Sequence, residues 1–221
     1  MAVISRLAAA GAIVLTLALP AQACRLALAL TVDVSGSIDP GEYRFQMDGL
    51  ASALEDPEVA EALVLAEAAV SVVQWSGAQD QEVTIPWQRM LSFEAVSRLA
   101  GTVRDVRRRW TGGKTAGGDM LAEALPTFEA VSDCTRRVVD VSGDGQSNDG
   151  QDTVFARQLA EQMDVTINGL AIDRIGKSVT QFYRQKVQPG PNSFVLTATG
   201  YSDYPRAIRR KLLRESVVPA F

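Results

Sequence analysis

Leu26-Ala27-Leu28-Ala29-Leu30-Thr31-Val32, followed by Asp33-Val34-Ser35-Gly36-Ser37, decides how the rest of the chain is read. The first seven residues carry no charge and almost no polarity, the pattern of a central parallel strand buried on both faces. Asp33, Ser35 and Ser37 then stand at every second position, so an extended backbone projects a carboxylate and two hydroxyls to one side. Gly36 lets the chain turn away at that point. Hard oxygen donors without His or Cys suit Mg²⁺ or Mn²⁺ and not zinc. Caps of a following helix use the same residue types, and on these residues alone both readings stand.

The chain has 221 residues, enough for one α/β domain with a sizeable core. Its net charge is −4, and it becomes −5 without residues 1–23, whose only charge is Arg6. An acidic balance gives no support to nucleic-acid binding. The chain has no histidine, which excludes Ser-His-Asp and Cys-His catalysis, His-ligated zinc and histidine proton shuttling. Residues 1–23 have the make-up of a secretory signal peptide: Arg6, an apolar run over 7–19, and Ala21-Gln22-Ala23 as the cleavage site. That run is too short for a membrane span, and no later segment qualifies. The expectation is therefore an exported protein, periplasmic or secreted, whose mature domain covers residues 24–221.

Cys24 and Cys134 are the only cysteines, and an oxidising compartment favours their pairing. Each lies just before an apolar strand, residues 26–32 and 138–142. If those strands are parallel neighbours, both thiols lie at one edge of the sheet within bridging reach. Closing so long a loop is worth about 4–5 kcal/mol in a chain-entropy picture. A lipidated Cys24 is the competing reading. Lipoprotein leaders carry an aliphatic residue where this chain has Ala21, so the disulfide is expected.

Outward from the opening strand, Asp39-Pro40 starts a helix with Tyr43, Met47, Leu50 and Leu54 at helical spacing. Strands are predicted at 68–75, at 82–85 returning antiparallel, and at 137–142, 165–172 and 193–197. Helices are predicted at 93–110, 116–132, 153–162, 179–186 and 202–215, the last one basic and amphipathic. Strands alternating with helices predict a mostly parallel sheet covered on both faces. Right-handed crossovers then gather the loops after the strands at one edge, where open α/β sheets bind ligands. Asp33, Ser35 and Ser37 leave the first strand there, Thr115 follows the glycine-rich Thr111-Gly112-Gly113-Lys114, and Asp144 follows the 137–142 strand. Two carboxylates balance a divalent cation, and an external carboxylate completing its coordination is adhesion chemistry that requires no reaction.

These residues resemble the metal-ion-dependent adhesion site of von Willebrand factor A-type domains. Asp33, Ser35 and Ser37 match the family's Asp-x-Ser-x-Ser loop, Thr115 its threonine, and Asp144 in Ser142-Gly143-Asp144-Gly145 its strand-terminal Asp-Gly. The resemblance implies a three-layer Rossmann-like sheet of order 3-2-1-4-5-6 with strand 3 antiparallel and helices on both faces. It also implies bound Mg²⁺ or Mn²⁺, and a protein partner that supplies an Asp or Glu carboxylate. That order sets the first and fourth strands side by side, as the cysteine pairing requires. Gln74-Trp75-Ser76-Gly77 and Ile167-Asn168-Gly169-Leu170-Ala171-Ile172 further resemble a bacterial exported branch without assigned function.

Other motifs point elsewhere and fail. Gly113-Lys114-Thr115 imitates a phosphate-binding loop, but Arg108 stands where the first glycine belongs. Ser142-Gly143-Asp144 is no nucleophile elbow without a histidine base. A metal-dependent hydrolase acting on an exported polymer or phosphoester is the alternative function, and a non-enzymatic recognition module is the expectation. Arg107-Arg108-Arg109-Trp110 either steers an acidic partner with an aromatic anchor or complements a helix C-terminus with Trp110 packed inward, and the second is expected. Asp119 either supports the site or favours a helix start. Asp140, in mid-strand, needs a buried partner such as an arginine.

Overall fold

The computed structural model describes residues 24–174, 176–188 and 192–217, so the expected signal peptide at 1–23 lies outside the described residues. Strand β1 (Ala27–Asp33) is buried throughout, because its alternate side chains feed two separate cores. Leu28, Leu30 and Val32 enter the larger core, whereas Ala27 and Ala29 enter the other. Large side chains on one face and alanines on the other let helices approach the sheet at different depths.

Helix α1 (Pro40–Leu54) starts on a capping box: Asp39 accepts from the Glu42 N–H, and Glu42 accepts from the Asp39 N–H. Helix α2 (Pro57–Leu65) follows at once, capped by Asp56; the periodicity reading had no helix there. Strand β2 (Ala69–Trp75) pairs antiparallel with β3 (Gln81–Arg89), which is longer than the expected 82–85 and irregular opposite residues 70–73. Helix α3 (Phe93–Asp105) ends short of residue 110. Its extension is broken because the Gln74 amide takes up the following backbone, donating to the Arg107 carbonyl (3.1 Å) and accepting from the Arg109 N–H (2.9 Å). Helix α4 (Gly117–Ala124) tightens into a 3-10 turn (Leu125–Val131) at Pro126, where an α-helix would lose a hydrogen bond. Then come β4 (Arg137–Gly143), α5 (Thr153–Gln162), β5 (Val165–Ile172), α6 (Ser178–Phe182), β6 (Val195–Ala198) and α7 (Tyr204–Ser216).

The sheet order is β3-β2-β1-β4-β5-β6 with only β3 antiparallel, as expected. The larger core joins the sheet to α1, α2, α3 and α7, and the smaller core joins it to α4, α5 and α6. Ile208 and Leu212 of α7 are buried, so the basic helix packs on the sheet. No helix among the described residues is long and apolar enough to cross a membrane. Cys24 and Cys134 form a disulfide, with Cα atoms 4.4 Å apart. It ties the starting ends of β1 and β4, some 20 Å along the strands from the ends that carry the candidate site.

Candidate functional site

Side by side in parallel, β1 ends at Asp33 and β4 at Gly143. A Cβ on Gly143 would lie 2.8 Å from Asp33 Oδ2 and 2.7 Å from the Tyr183 hydroxyl, so only glycine lets the Asp33 carboxylate sit against β4. Asp33 is fully buried. Its Oδ1 accepts from the Ser35 N–H (2.8 Å), a local turn that folds the loop back over the strand end. Its Oδ2 is buried with no hydrogen-bond partner among the described residues.

All five predicted residues meet. Thr115 Oγ1 lies 3.3 Å from Ser35 Oγ, Ser35 Oγ 3.3 Å from Ser37 Oγ, and the Ser37 hydroxyl donates to Asp144 Oδ1 at 2.6 Å. Thr115 reaches this row because its backbone is clamped from two sides. Its N–H donates to Asn148 Oδ1 and its carbonyl accepts from the Asn148 N–H, both at 2.9 Å. The Ser76 carbonyl takes the Ala116 N–H at 2.8 Å, and Ser147 Oγ takes the Gly117 N–H at 2.8 Å. Gly113 takes φ +106°, a left-handed conformation that side chains rarely adopt, and its carbonyl accepts from the Gly36 N–H at 3.1 Å.

Several positioning residues escaped the sequence reading. Arg108 does not close a helix; its Nη2 donates to the carbonyls of Val34 and Ser35, each at 2.9 Å, and so holds the Asp33–Ser37 loop. Gln46 donates to the Asp33 carbonyl at 3.2 Å. Arg174, in the loop after β5, donates to Asp144 Oδ2 at 2.9 Å. No local pattern marks these residues, although the polar run 143–150 does contain Ser147 and Asn148. Asp119 accepts from the Gln151 N–H at 2.8 Å and ties the loop after β4 to α4, outside the row of five. Trp110 is half-buried against the larger core, as expected. Asp140 has Lys211, not an arginine, as its buried partner, with Nζ 2.6 Å from Oδ2.

Burial raises the Asp33 carboxyl to about 7, opposed by the Ser35 N–H and hydroxyl and by Arg108, and reinforced by the Asp144 charge. Burial also lifts the nearby Tyr183 hydroxyl well above its ordinary value, with the Asp33 and Asp144 charges adding to it. A bare carboxylate oxygen, three hydroxyls and a second carboxylate make a donor set for a hard divalent cation. Among the described residues no cluster of three or more His, Cys, Asp or Glu suits a metal, so any ion at this edge needs the hydroxyls.

Comparison with solved structures returns von Willebrand A-type folds. Proximal thread matrix protein 1 from the mussel byssus superposes with a TM-score of 0.66 at 19% identity, over 86% of this chain and 47% of that one. A second structure of it, with a zinc-occupied metal-ion-dependent adhesion site, gives 0.64 at 17%, over 87% and 46%. The von Willebrand factor type A protein from Catenulispora acidiphila gives 0.58 at 17%, over 86% and 42%. The manganese-loaded TRAP protein of Plasmodium vivax gives 0.55 at 16%, over 86% and 74%. At these identities the likeness is one of fold, and the chain spans about half the length of the byssus protein. No curated protein matches. Residues 23–219 match one family over nearly the whole chain, and the chain therefore belongs to the family described as "Protein of unknown function (DUF1194)", built on a von Willebrand A-type fold.

Proposed function

We propose that this chain is an exported recognition module. Asp33, Ser35, Ser37, Thr115 and Asp144 hold a divalent cation, Mg²⁺ or Mn²⁺, and an Asp or Glu carboxylate from a protein partner completes the coordination. One observation carries the reading: hydroxyls and a carboxylate from three remote loops form one continuous row beside Asp33, whose buried Oδ2 has no hydrogen-bond partner among the described residues. An unpartnered buried carboxylate oxygen is costly, and a cation relieves the cost. The zinc-occupied site of the byssus protein and the manganese-loaded TRAP protein support a metal on this fold. The Cys24–Cys134 disulfide supports an oxidising compartment, and with it a signal peptide at 1–23 and a mature domain at 24–221. The bound ion would supply a Lewis-acidic centre for the incoming anion; the protein's part is to orient the donors and keep Asp33 dry.

Calorimetric titration with Mg²⁺ and Mn²⁺ of the wild type, Asp33→Ala and Asp144→Ala tests the reading. Binding in the wild type and at least about tenfold weaker binding in both variants is expected; equal affinity in all three refutes it. Capture of a periplasmic protein that chelator abolishes, and that an acidic peptide competes away, would identify the partner. Metal-dependent turnover in a hydrolytic screen would replace the module with a hydrolase.

A further inference from the structure

Asp33 and Asp144 stand at one edge but are not in the same condition. Asp33 has a bare oxygen, whereas both oxygens of Asp144 are taken: Oδ1 by the Ser37 hydroxyl at 2.6 Å and Oδ2 by Arg174 at 2.9 Å. The same Arg174 nitrogen also lies 2.9 Å from Glu42 Oε2 and 2.9 Å from the Ser37 carbonyl. The guanidinium carbon sits 5.4 Å from the centre of the Tyr201 ring, a cation–π contact that steadies it. Its oxygen contacts are thus a member of the donor set, the backbone of another, and the carboxylate that closes the capping box of α1.

Exposure separates the partners. The Arg174 side chain is 47% exposed and that of Asp144 only 3%, so the guanidinium covers the carboxylate from the solvent side. One positive charge therefore already sits where a metal would neutralise Asp144. Replacing it with a monovalent ion gains no charge, whereas a divalent ion adds one to an edge carrying Asp33, Asp144 and Glu42. Resting on the cation reading above, we propose that Arg174 is the site's own counter-cation. It holds Asp144 in the metal-free protein and competes with the entering ion for that carboxylate, so it lowers metal affinity and restricts the edge to ions of charge two or more.

Mg²⁺ alone, titrated at fixed ionic strength into the wild type, Arg174→Ala, Arg174→Lys and Asp144→Asn, decides this. Arg174→Ala is expected to bind roughly five- to fiftyfold more tightly than the wild type, the range of ordinary coupling between competing sites. Arg174→Lys keeps the charge but loses the planar fork that meets three oxygens and the Tyr201 ring, so its affinity is expected to fall between those of the wild type and Arg174→Ala. In thermal melts without metal, Arg174→Ala is expected to unfold at a lower temperature than the wild type, and Mg²⁺ is expected to raise its midpoint by more. Wild-type or weaker affinity in Arg174→Ala, with the wild type still binding, overturns the counter-cation alone. Binding in neither protein removes the cation reading and this inference together.

Discussion

Asp140 and Asp144 leave the same strand four residues apart, about 13 Å at ordinary rise, and the polar groups around them are arranged in opposite ways. Asp140 lies under α7, where Lys211 Nζ sits 2.6 Å from it and 2.7 Å from Glu215 Oε1. Asn168 donates to the same Glu215 oxygen at 2.9 Å and accepts from the Phe194 N–H at 3.0 Å, while Ser142 lies 3.2 Å from Asp140 Oδ1. Lys211 and Asp140 are almost wholly buried, so water contributes nothing to either charge. Asp144 ends a row of hydroxyls from Ser37, Ser35 and Thr115, and the neighbouring Asp33 keeps a buried oxygen without a partner among the described residues. A buried ammonium shared by two carboxyl groups closes the set in charge, although Glu215 Oε2 has no hydrogen-bond partner among the described residues, and it pins α7 to β4 and β5. Asp33 Oδ2 beside the hydroxyl row has no such partner among the described residues, and on the proposed reading a cation from outside supplies one. Both arrangements are polar clusters in space, and the pairing separates the one that fixes a helix to the sheet from the one proposed to bind an ion.

The largest expected effect follows from opening the closed set. Lys211→Met leaves Asp140 and Glu215 buried without their cation, and removal of one partner from a buried ion pair costs about 3–5 kcal/mol. Urea unfolding should show a loss of that size, while Mg²⁺ affinity in the fraction that stays folded is unchanged. A loss below about 1 kcal/mol would mean that the cluster is not closed as described, and a parallel loss of Mg²⁺ affinity would mean that the two regions are not independent.

How far each region was legible follows from how local its determinants are. The donor row was readable because strand alternation and two glycine-rich turns are encoded in short stretches, Asp33 to Ser37, Thr111 to Thr115 and Ser142 to Gly145. Strand β5 at 165–172 was readable for the same reason. The end of α3 was not, because Gln74, 33 and 35 residues earlier in strand β2, captures the backbone at Arg107 and Arg109. Helix α2 was missed although Asp56-Pro57 is a cap followed by a first-turn proline; it begins so soon after α1 that one apolar period ran into the next. Lys211 as the partner of Asp140 was half-visible, since Lys211 and Glu215 share a helix face at i and i+4. Arg174 had no local signal, because its role exists only once β5 and β1 end at the same edge.

Titration gives an intermediate effect that distinguishes the regions by ligand. Burial raises Asp33 from 3.8 to about 7, and burial raises Glu215 from 4.5 to about 8 against the pull of Lys211. In both cases the folded protein keeps a proton that the unfolded chain gives up at lower pH. The stability they contribute is complete below about pH 4, and it is lost as pH rises through 7 for Asp33 and through 8 for Glu215. Metal-free protein is therefore expected to lose roughly 4 kcal/mol between pH 6 and pH 9, about one third of it from Asp33. Saturating Mg²⁺ binds the ionised Asp33 and should cancel the Asp33 part of that loss, leaving the part due to Glu215. Mg²⁺ affinity should correspondingly weaken below pH 7. Urea midpoints at the two pH values, with and without Mg²⁺, measure both parts; an equal loss in the presence of metal would dissociate Asp33 from the ion.

The smallest effects come from two serine hydroxyls, one on each carboxylate. Ser142 is buried beside Asp140 and Ser37 is exposed beside Asp144. Ser142→Ala leaves a buried carboxylate oxygen short of a donor that water cannot replace, so about 1–2 kcal/mol of stability should be lost with Mg²⁺ affinity intact. Ser37→Ala removes an exposed hydroxyl, and water can enter from that exposed side to replace it on the otherwise covered Asp144 oxygen, so the stability change should stay within about 0.5 kcal/mol. Mg²⁺ affinity, however, should fall, because a ligand oxygen is gone from the row. The two variants therefore move opposite readouts, and chemical denaturation beside calorimetry resolves them. If both lowered stability alike and neither touched the metal, Ser37 would be part of a structural network and the rim would be as closed as the interior.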